Sequence, residues 1–392
     1  MSTPRPAHLG GVGLLVAGLA LLTPGPGRGS SAAAPEVDLR HLSFSEAEVR
    51  ARLTDGRTAR LTIDRDLQRT AAQLLARARP LRGAVVMASA RSGHVLVWAE
   101  WQRHAGGKGT VLLNARSPAA SVFKVVTAAA LLDRAKVHPR QRVCTAGGDH
   151  RIGPEHLSPA HGHNATCGPF SAALGLSRNA VFAQLAARYL KPADLLAEAE
   201  ALGFNGLVPF EGKVPVGHLE VPTDKLGLAK VATGFEGSTL SPLGGAYLAY
   251  VIANGGRAAK FHIVQSAGEY QVPKQRQSIG RVLSVWAAGQ LRKMMEVTVH
   301  SGTSLRAFTS DAGQNYLPGL PVAGKTGTLQ PTEGAPTTSW FIGFAPSRHP
   351  RVVVSVLLDN GPVWRRKANE LARDMLRAYF AMRGVAGVTA PL

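Results

Sequence analysis

The spacing of apolar residues from Leu61 onward predicts regular secondary structure. Residues 61–78 give the end of a strand, a capping Asp64 and a helix. The apolar face of that helix would consist of Leu67, Ala71, Leu74 and Leu75. Two runs rich in β-branched and aromatic residues follow at 83–89 and 93–101, joined by a short turn at 90–93. This pattern predicts a helix followed by a β-hairpin.

The rest of the chain is helical in its middle and returns to strands near its end. Helical spacing recurs in the segments 121–135, 177–189, 193–202, 241–254, 283–299 and 366–383. Two more strands are predicted at 338–346 and 351–361, around a turn at 347–350. Strand pairs at both ends with helices between them predict an α/β protein of the α+β type. It would have an antiparallel sheet flanked by helices, with a mainly helical subdomain.

The segment before this pattern has the composition of an export signal. Residues 1–34 contain no acid, and their apolar run from Leu9 to Leu22 would form a helix of roughly 21 Å. That length is short of the ~30 Å hydrocarbon core of a membrane. We therefore expect a signal peptide cleaved near Ala34, with an uncleaved membrane anchor as the alternative. Residues 35–60 are expected to form a short linker with one helical turn at 45–53, and residues 61–392 the folded domain.

Composition and charge narrow the class of protein without naming a partner. Hydrophobic residues at 45% and charged residues at 18% exclude an intrinsically disordered chain. The 45 Lys and Arg exceed the 25 Asp and Glu, which gives a net charge of +20. Such an excess attracts anionic lipid, wall polymer or nucleic acid, and it also occurs on surfaces that are merely soluble. Export argues against nucleic acid as a partner.

The two cysteines, Cys144 and Cys167, are expected to form a disulfide because an exported chain folds in an oxidising compartment. The segment between them is rich in histidine, so zinc is the alternative occupant. The spacing matches none of the paired Cys-x-x-Cys or His-x(3–5)-His templates. A surface disulfide loop is the simpler interpretation, and no metal is expected.

The first motif that suggests chemistry is Ser121-Val122-Phe123-Lys124, at the start of an apolar helix. Positions three apart share one helix face, so the Ser121 hydroxyl and the Lys124 amine would lie within hydrogen-bond reach. Burial would lower the pKa of Lys124 and let the neutral amine take the serine proton. Ser-x-x-Lys is common by chance, so a structural role is the alternative.

Two further motifs are weak alone and stronger in combination. Ser177-Arg178-Asn179 opens a predicted helix, where Ser177 has the alternative role of a helix cap. Lys325-Thr326-Gly327-Thr328 precedes the last strand pair and offers a fixed cation, hydroxyls and a close backbone approach to a carboxylate. A turn at the end of a strand is the alternative there. Each motif occurs once, and the ordered trio is far rarer by chance than any one motif.

With these motifs the chain resembles the transpeptidase domain of penicillin-binding proteins, a group that shares the trio with class A β-lactamases. The resemblance covers about residues 60–383. It includes the segments LTIDRDLQ (61–68), the 83–99 hairpin, FSAALGLSRNAVFAQLA (170–186), TLSPLGGAYLAYVIANGG (239–256) and SWFIGFAP (339–346). It implies a β-lactamase-like fold with the site in the cleft between sheet and helical subdomain.

The resemblance implies a catalytic role for five residues. Ser121 would attack the carbonyl of a D-alanyl-D-alanine stem peptide, and Lys124 would take its proton. Ser177 would relay a proton toward the leaving D-alanine. Asn179 would hold Lys124 and the substrate amide. Lys325 would complete the catalytic group.

The same resemblance implies how substrate is held. Lys325, Thr326, Gly327 and Thr328 would form the substrate-binding strand, with the lysine and threonines receiving the terminal carboxylate. The backbone amides of Ser121 and Thr328 would form the oxyanion hole. No cofactor is implied. The expected partners are peptidoglycan stem peptides, β-lactam antibiotics as covalent inhibitors and, because residues 35–60 are too few for a glycosyltransferase, a separate glycosyltransferase. The expected location is the periplasm or the outer face of a bacterial cytoplasmic membrane.

The chain departs from the family pattern at two places, and three other functions stay open. Ala119-Ala120 stand where relatives commonly place Gly before the nucleophile, and His161-Gly162-His163 precedes Cys167 where relatives tend to place His-Gly after it. The alternatives are a D,D-carboxypeptidase, a serine β-lactamase and a catalytically silent binding scaffold. The β-lactamase is disfavoured because the Glu-x-x-Leu-Asn pattern is absent and Arg178 replaces the usual Asp.

The predicted C-terminal helix combines an apolar stripe with many cations. The stripe consists of Leu371, Met375, Leu376 and Tyr379. The cations are Arg365, Arg366, Lys367, Arg373, Arg377 and Arg383. Packing on the sheet is the simpler interpretation, and contact with anionic lipid or wall polymer is the alternative.

Overall fold

The computed structural model describes residues 35–45, 48–103, 110–330 and 332–391. The export segment predicted at 1–34 lies outside the described residues. The described residues all belong to one compact unit. No helix in the described part of the chain combines the length and the apolar character needed to cross a lipid bilayer.

The described α-helices and strands follow in chain order. The helices are α1 Arg65–Ala78, α2 Lys124–Asp133, α3 Phe170–Ala173, α4 Asn179–Tyr189, α5 Pro192–Ala201, α6 Lys225–Thr233, α7 Pro242–Ala253, α8 Val285–His300, α9 Leu305–Phe308 and α10 Ala368–Ala381. The strands are β1 Val37–Phe44, β2 Val49–Leu53, β3 Thr58–Leu61, β4 Arg82–Ser89, β5 Val95–Gln102, β6 Ser117–Pro118, β7 Arg142–Thr145, β8 Thr166–Pro169, β9 Gly217–Leu219, β10 Ser238–Leu240, β11 Arg257–Ala259, β12 Val264–Ala267, β13 Tyr270–Gln271, β14 Ser278–Arg281, β15 Ala323–Leu329, β16 Thr337–Ala345 and β17 Val352–Asn360.

The central sheet has the strand order β15-β16-β17-β4-β5, with every neighbouring pair antiparallel. All nine residues of β17 are buried, as expected for a middle strand covered on both faces. Helices α1 and α10 pack on one face, and α7 packs on the other, next to the helical subdomain. The predicted antiparallel sheet with flanking helices and a helical subdomain is confirmed.

Most predicted elements are present with shifts of a residue or two. Asp64 caps α1, since its carboxylate accepts a hydrogen bond from the Leu67 amide at 3.2 Å. The predicted hairpin is β4 with β5, and the two final strands are β16 and β17. The helix predicted at 121–135 begins instead with a 3₁₀ turn, Ala120–Phe123, before α2. Helix α6 was not predicted, although the carbonyls of its last two residues accept hydrogen bonds from Thr127 and Lys124 of α2.

The expectation of a linker with a helical turn at 45–53 is wrong. Residues 37–61 form β1, β2 and β3, which join β12 and β13 in a second antiparallel sheet. In β2 the side chains of Val49, Ala51 and Leu53 are buried, while Arg50 and Arg52 are exposed. This alternation with a period of two is the signature of a strand that is buried on one face. The arginines between the apolar residues obscured it.

The predicted disulfide is confirmed. Cys144 on β7 and Cys167 on β8 lie directly opposite each other and are bonded. Both sulfurs are therefore unavailable as thiolate ligands. In the described ranges, no three His, Cys, Asp or Glu side chains come together in a way that would hold a metal ion.

The cations of α10 are largely engaged within the chain. Arg366, Arg373 and Arg377 all pair with the buried carboxylate of Asp374. Arg373 and Arg377 also lie over the ring of Tyr316, at 4.4 and 5.1 Å from its centroid. These contacts agree with packing on the sheet as the main role of the helix, and they leave fewer cations for an anionic surface.

Candidate active site

Ser121 lies on the 3₁₀ turn that precedes α2, and its side chain is half-buried. Ala120, directly before it, has a φ of +50°, in the left-handed region that glycine adopts without strain. The alanine that stands in place of the expected glycine therefore adopts a conformation that glycine favours. A Cβ on Gly327 of β15 would lie 3.3 Å from the Ala120 Cβ, so the glycine lets this strand approach the turn.

Lys124 is fully buried and its amine contacts the serine. Lys124 Nζ donates to Ser121 Oγ at 2.6 Å and to the Thr233 carbonyl, at the end of α6, at 2.9 Å. Burial, and then the positive charge of Lys325, lower the pKa of Lys124 well below its usual value. A neutral amine can accept the hydroxyl proton, so the pair can act as a nucleophile with its base.

Ser177 and Lys325 form a second hydrogen-bonded pair. Ser177 has a φ of +56° just before α4, and its Oγ accepts from Lys325 Nζ at 3.1 Å. Lys325 Nζ also donates to the Thr326 carbonyl at 2.7 Å. Burial lowers the pKa of Lys325 to about 7. The sequence interpretation treated Lys325 as a fixed positive charge, whereas in the fold burial disfavours the charged form of its amine.

Asn179 begins α4 and has a different partner from the expected one. Its Nδ2 donates to the Asp149 carbonyl at 2.8 Å, whereas both hydrogen bonds of Lys124 go to Ser121 and Thr233. Asp149 belongs to the loop that the disulfide closes. The expected contact between Asn179 and Lys124 is therefore replaced by one that connects the loop to α4.

The strand that carries Lys325 is an edge of the central sheet. β15 pairs with β16 on one side only, and its other side borders the cleft. Along it, Thr326 Oγ1 lies 2.6 Å from Thr303 Oγ1, and Thr328 is exposed. An edge strand offers unpaired N–H and C=O groups to an extended peptide.

These groups meet in one cleft of about 690 Å³. Ser121, Ser177, Asn179, Thr326 and Thr328 all line it. Lys124 and Lys325 lie just behind the lining and reach it through Ser121 and Ser177. The structure thus brings the three predicted motifs together. A hydroxyl beside a buried amine of lowered pKa, with a second buried amine and an edge strand next to them, can carry out acyl transfer to serine.

Three contributors to the site were missed by the sequence analysis. Thr233 and Asp149 act through backbone carbonyls, which no residue pattern reveals. Thr303 acts through its hydroxyl on Thr326, and it follows a helix end that gave no motif. The one available signal was the apolar spacing of α6, whose end supplies Thr233.

Comparison with known proteins decides the family. Residues 83–378 match the profile of the penicillin binding protein transpeptidase domain. The chain belongs to this family. The resemblance inferred from the three motifs is confirmed.

Two relatives show how much of a longer protein resembles this chain. The peptidoglycan D,D-transpeptidase PbpA of Mycobacterium tuberculosis is 28% identical over 279 residues, which is 67% of this chain and 54% of the relative. The penicillin-binding protein PbpB of Mycolicibacterium smegmatis is 26% identical over 340 residues, 78% of this chain and 51% of the relative. The chain thus spans about half the length of these curated relatives.

The fold is shared with penicillin-binding protein A from M. tuberculosis, solved as a ceftriaxone acyl-enzyme complex. The TM-score is 0.67 at 21% sequence identity, with 82% of this chain and 79% of that chain covered. At this identity the likeness establishes the fold of this family, and the chemistry rests on the residues of the cleft.

Proposed function

We propose that the chain is a serine D,D-transpeptidase that crosslinks peptidoglycan stem peptides through an acyl-enzyme on Ser121. The observation that carries this proposal is the 2.6 Å hydrogen bond between Ser121 Oγ and the buried Lys124 amine, within the cleft that the other two motifs line. Curated relatives named as peptidoglycan D,D-transpeptidases support the substrate class.

Acylation begins when neutral Lys124 takes the hydroxyl proton of Ser121. The Ser121 oxygen then attacks the carbonyl carbon between the last two D-alanines of the stem peptide. The backbone N–H groups of Ser121 and Thr328 stabilise the oxyanion that develops. When the C–N bond breaks, the proton held by Lys124 passes through Ser177 to the leaving amine, so that D-alanine departs neutral at its nitrogen and an ester remains on Ser121.

The terminal carboxylate is proposed to bind at β15. Thr326 and Thr328 present hydroxyls to the cleft, and Gly327 keeps the strand close to the nucleophile turn. Lys325 is buried behind Thr326, and an incoming carboxylate would favour its protonated form. Substrate binding would therefore stabilise the positive charge on Lys325.

In the second half-reaction an amine of a neighbouring peptide strand attacks the ester. Lys124 takes a proton from this amine and returns it to the Ser121 oxygen as the C–O bond breaks. Attack by water in place of the amine would give the carboxypeptidase reaction. A β-lactam enters the first half-reaction like the stem peptide, and its ring nitrogen stays attached, which holds Ser121 as a stable ester.

The proposed reaction assigns a role to each segment of the chain. We propose that residues 1–34 direct or anchor the protein outside the bacterial cytoplasm, where peptidoglycan lies, and that residues 61–392 form the transpeptidase unit. The sheet that includes residues 37–61 takes the place of the expected linker. A separate glycosyltransferase would supply the glycan strands.

Labelling with a fluorescent penicillin tests the proposal. Wild-type protein should acquire covalent fluorescence that survives denaturation, and Ser121→Ala should acquire none. A folded wild type that takes up no label would refute the proposal. Rapid turnover of a chromogenic cephalosporin would instead identify a β-lactamase.

A further inference from the structure

Two exposed cations, Arg306 and Lys367, line the same cleft as Ser121. Neither side chain forms an ion pair or a hydrogen bond with another described residue. The guanidinium of Arg306 is charged at every physiological pH. Cations without an ionic partner on the wall of a cleft can bind an anion from outside the chain.

The two cations are held on one wall although they are far apart in sequence. Asn369 Nδ2, near the start of α10, donates to Ser304 Oγ at 3.1 Å. Arg373 Nη1 donates to the Ala307 carbonyl at 2.7 Å. These bonds fix the short segment that carries Arg306 onto the helix that Lys367 opens.

The nearby acid does not neutralise this wall. Glu370 also lines the cleft, but its Oε2 accepts the Lys367 backbone amide at 2.9 Å and lies 3.9 Å from Arg366 Nε. The helix N-terminus and Arg366 offset part of its charge, although Arg366 lies closer to Asp374. A second acid, Asp149, also lines the cleft, and no ion pair among the described residues joins either acid to Arg306 or Lys367. Both cations are therefore available to an anion from outside the chain.

The wall is separate from the strand that takes the terminal carboxylate. Lys325, Thr326 and Thr328 account for one carboxylate of the substrate, and their elements are β15 and its neighbours. Arg306 and Lys367 come from α9 and from the start of α10. A substrate with only one carboxylate would leave this second pair of cations without a partner.

We propose that Arg306 and Lys367 bind a second carboxylate, upstream of the C-terminal one, and so select acidic peptides that end in D-alanyl-D-alanine over their amidated forms. This inference rests on the proposed function and names the substrate class of the same site. The two residues act in specificity and take no part in bond making.

Two penicillins that differ only at the end of the side chain, carboxylate or carboxamide, test the selection. The rate of acyl-enzyme formation would be followed by intact mass on the full chain. Wild type should react with the carboxylate form on the order of tenfold faster, as expected for charge-assisted hydrogen bonds. This preference should shrink with added salt. Arg306→Gln combined with Lys367→Gln should remove the preference, so that the two penicillins react at equal rates.

A matched control removes the same two types of charge elsewhere. Arg91→Gln combined with Lys274→Gln changes exposed residues outside the cleft and should keep the wild-type preference. Equal rates for the two penicillins in wild type, or a preference that survives in the Arg306 and Lys367 double variant, would overturn the inference and leave the proposed function intact. If neither penicillin acylates the wild type, the proposed function fails, and the inference fails with it.

Discussion

Two buried lysine amines define the site at the scale of single residues. Lys124 and Lys325 are both fully inaccessible to solvent, and no described carboxylate pairs with either of them. Burial without an acidic partner disfavours the charged form of an amine and costs stability. In the proposed mechanism Lys124 is the proton acceptor and Lys325 receives the carboxylate, and these roles would explain why the fold tolerates two buried amines.

Replacing Lys124 tests its role as the base. Lys124→Met keeps most of the buried volume and removes the amine, so acylation by penicillin should slow by at least about 100-fold. The midpoint temperature of thermal unfolding should be unchanged or higher, because this variant has no amine that loses its hydration on folding. Thr127→Val is the matched control, because it removes a buried hydrogen bond to Ala232 one turn along α2. Acylation rates and melting curves measure both. Wild-type rates in Lys124→Met would exclude it as the base.

The lowered pKa of Lys325 also predicts how stability changes with pH. Its pKa is about 7 in the folded chain and that of an ordinary lysine when unfolded, so the unfolded state binds more protons between these values. Stability should therefore rise with pH from ~7 toward ~9. In Lys325→Met this contribution should disappear. Urea unfolding at several pH values measures it, and an equal slope in both proteins would contradict the low pKa.

The sequence alone was enough to predict the motif residues but not all of their contacts. The spacing of Ser121 and Lys124 on one helix face was enough to predict their hydrogen bond. The partner of Asn179 and the charge of Lys325 were not predictable, because each depends on a distant backbone carbonyl or on burial. Such quantities belong to the folded chain.

At the scale of elements, the nucleophile turn is held between α6 and β15. The end of α6 supplies the Thr233 carbonyl to Lys124, and Gly234 follows with a φ of +80°. A Cβ on Gly234 would lie 2.0 Å from the Ala120 carbonyl oxygen. The turn therefore depends on the absence of a side chain at this position.

Gly234→Ala tests this packing. The new methyl group must displace Ala120 and, with it, Ser121, so acylation should slow at least about tenfold and stability should fall by more than 1 kcal/mol. Gly289→Ala on α8 is the control, since its Cβ meets nothing within 4 Å. That change should stabilise the protein by up to about 1 kcal/mol. Wild-type acylation in Gly234→Ala would show that the turn tolerates the displacement.

Helices and strands with a clear periodicity of apolar residues were predicted, and those in which charged residues interrupt the apolar pattern were not. The helix α1 and the hairpin of β4 and β5 have uninterrupted patterns and appear where expected. In β2 the exposed arginines hid the alternation, and β12, which pairs with the neighbouring strand β3, lies about two hundred residues further along the chain. Pairing over such a distance leaves no local trace in the sequence.

At the scale of the whole molecule, the disulfide connects the surface loop to the site. The bond joins β7 to β8, and the loop between them carries Asp149, whose carbonyl holds Asn179. The helical subdomain thus reaches the cleft through this loop as well as through α4. Loosening the loop should affect stability more than chemistry, because the loop is bonded to Asn179, whereas Lys124 is bonded to Ser121 and Thr233.

Removing the disulfide should destabilise the protein measurably. Cys144→Ser combined with Cys167→Ser frees a loop with a sequence separation of 23. We expect the free energy of unfolding to fall by about 3 kcal/mol, because the unfolded chain gains conformational freedom without the bond. His163→Ser, an exposed change within the same loop, should leave stability unchanged. Denaturant unfolding measures both, and equal midpoints for the double variant and wild type would show that the bond does not contribute.

The central claim is that an acyl group resides covalently on Ser121, and mapping the adduct tests it most directly. Wild-type protein would be treated with penicillin, denatured, digested and analysed by tandem mass spectrometry. We predict one equivalent of penicilloyl mass on the peptide that contains Ser121, with fragment ions that place it on this serine. An adduct on any other residue, or none on folded protein, would contradict the account.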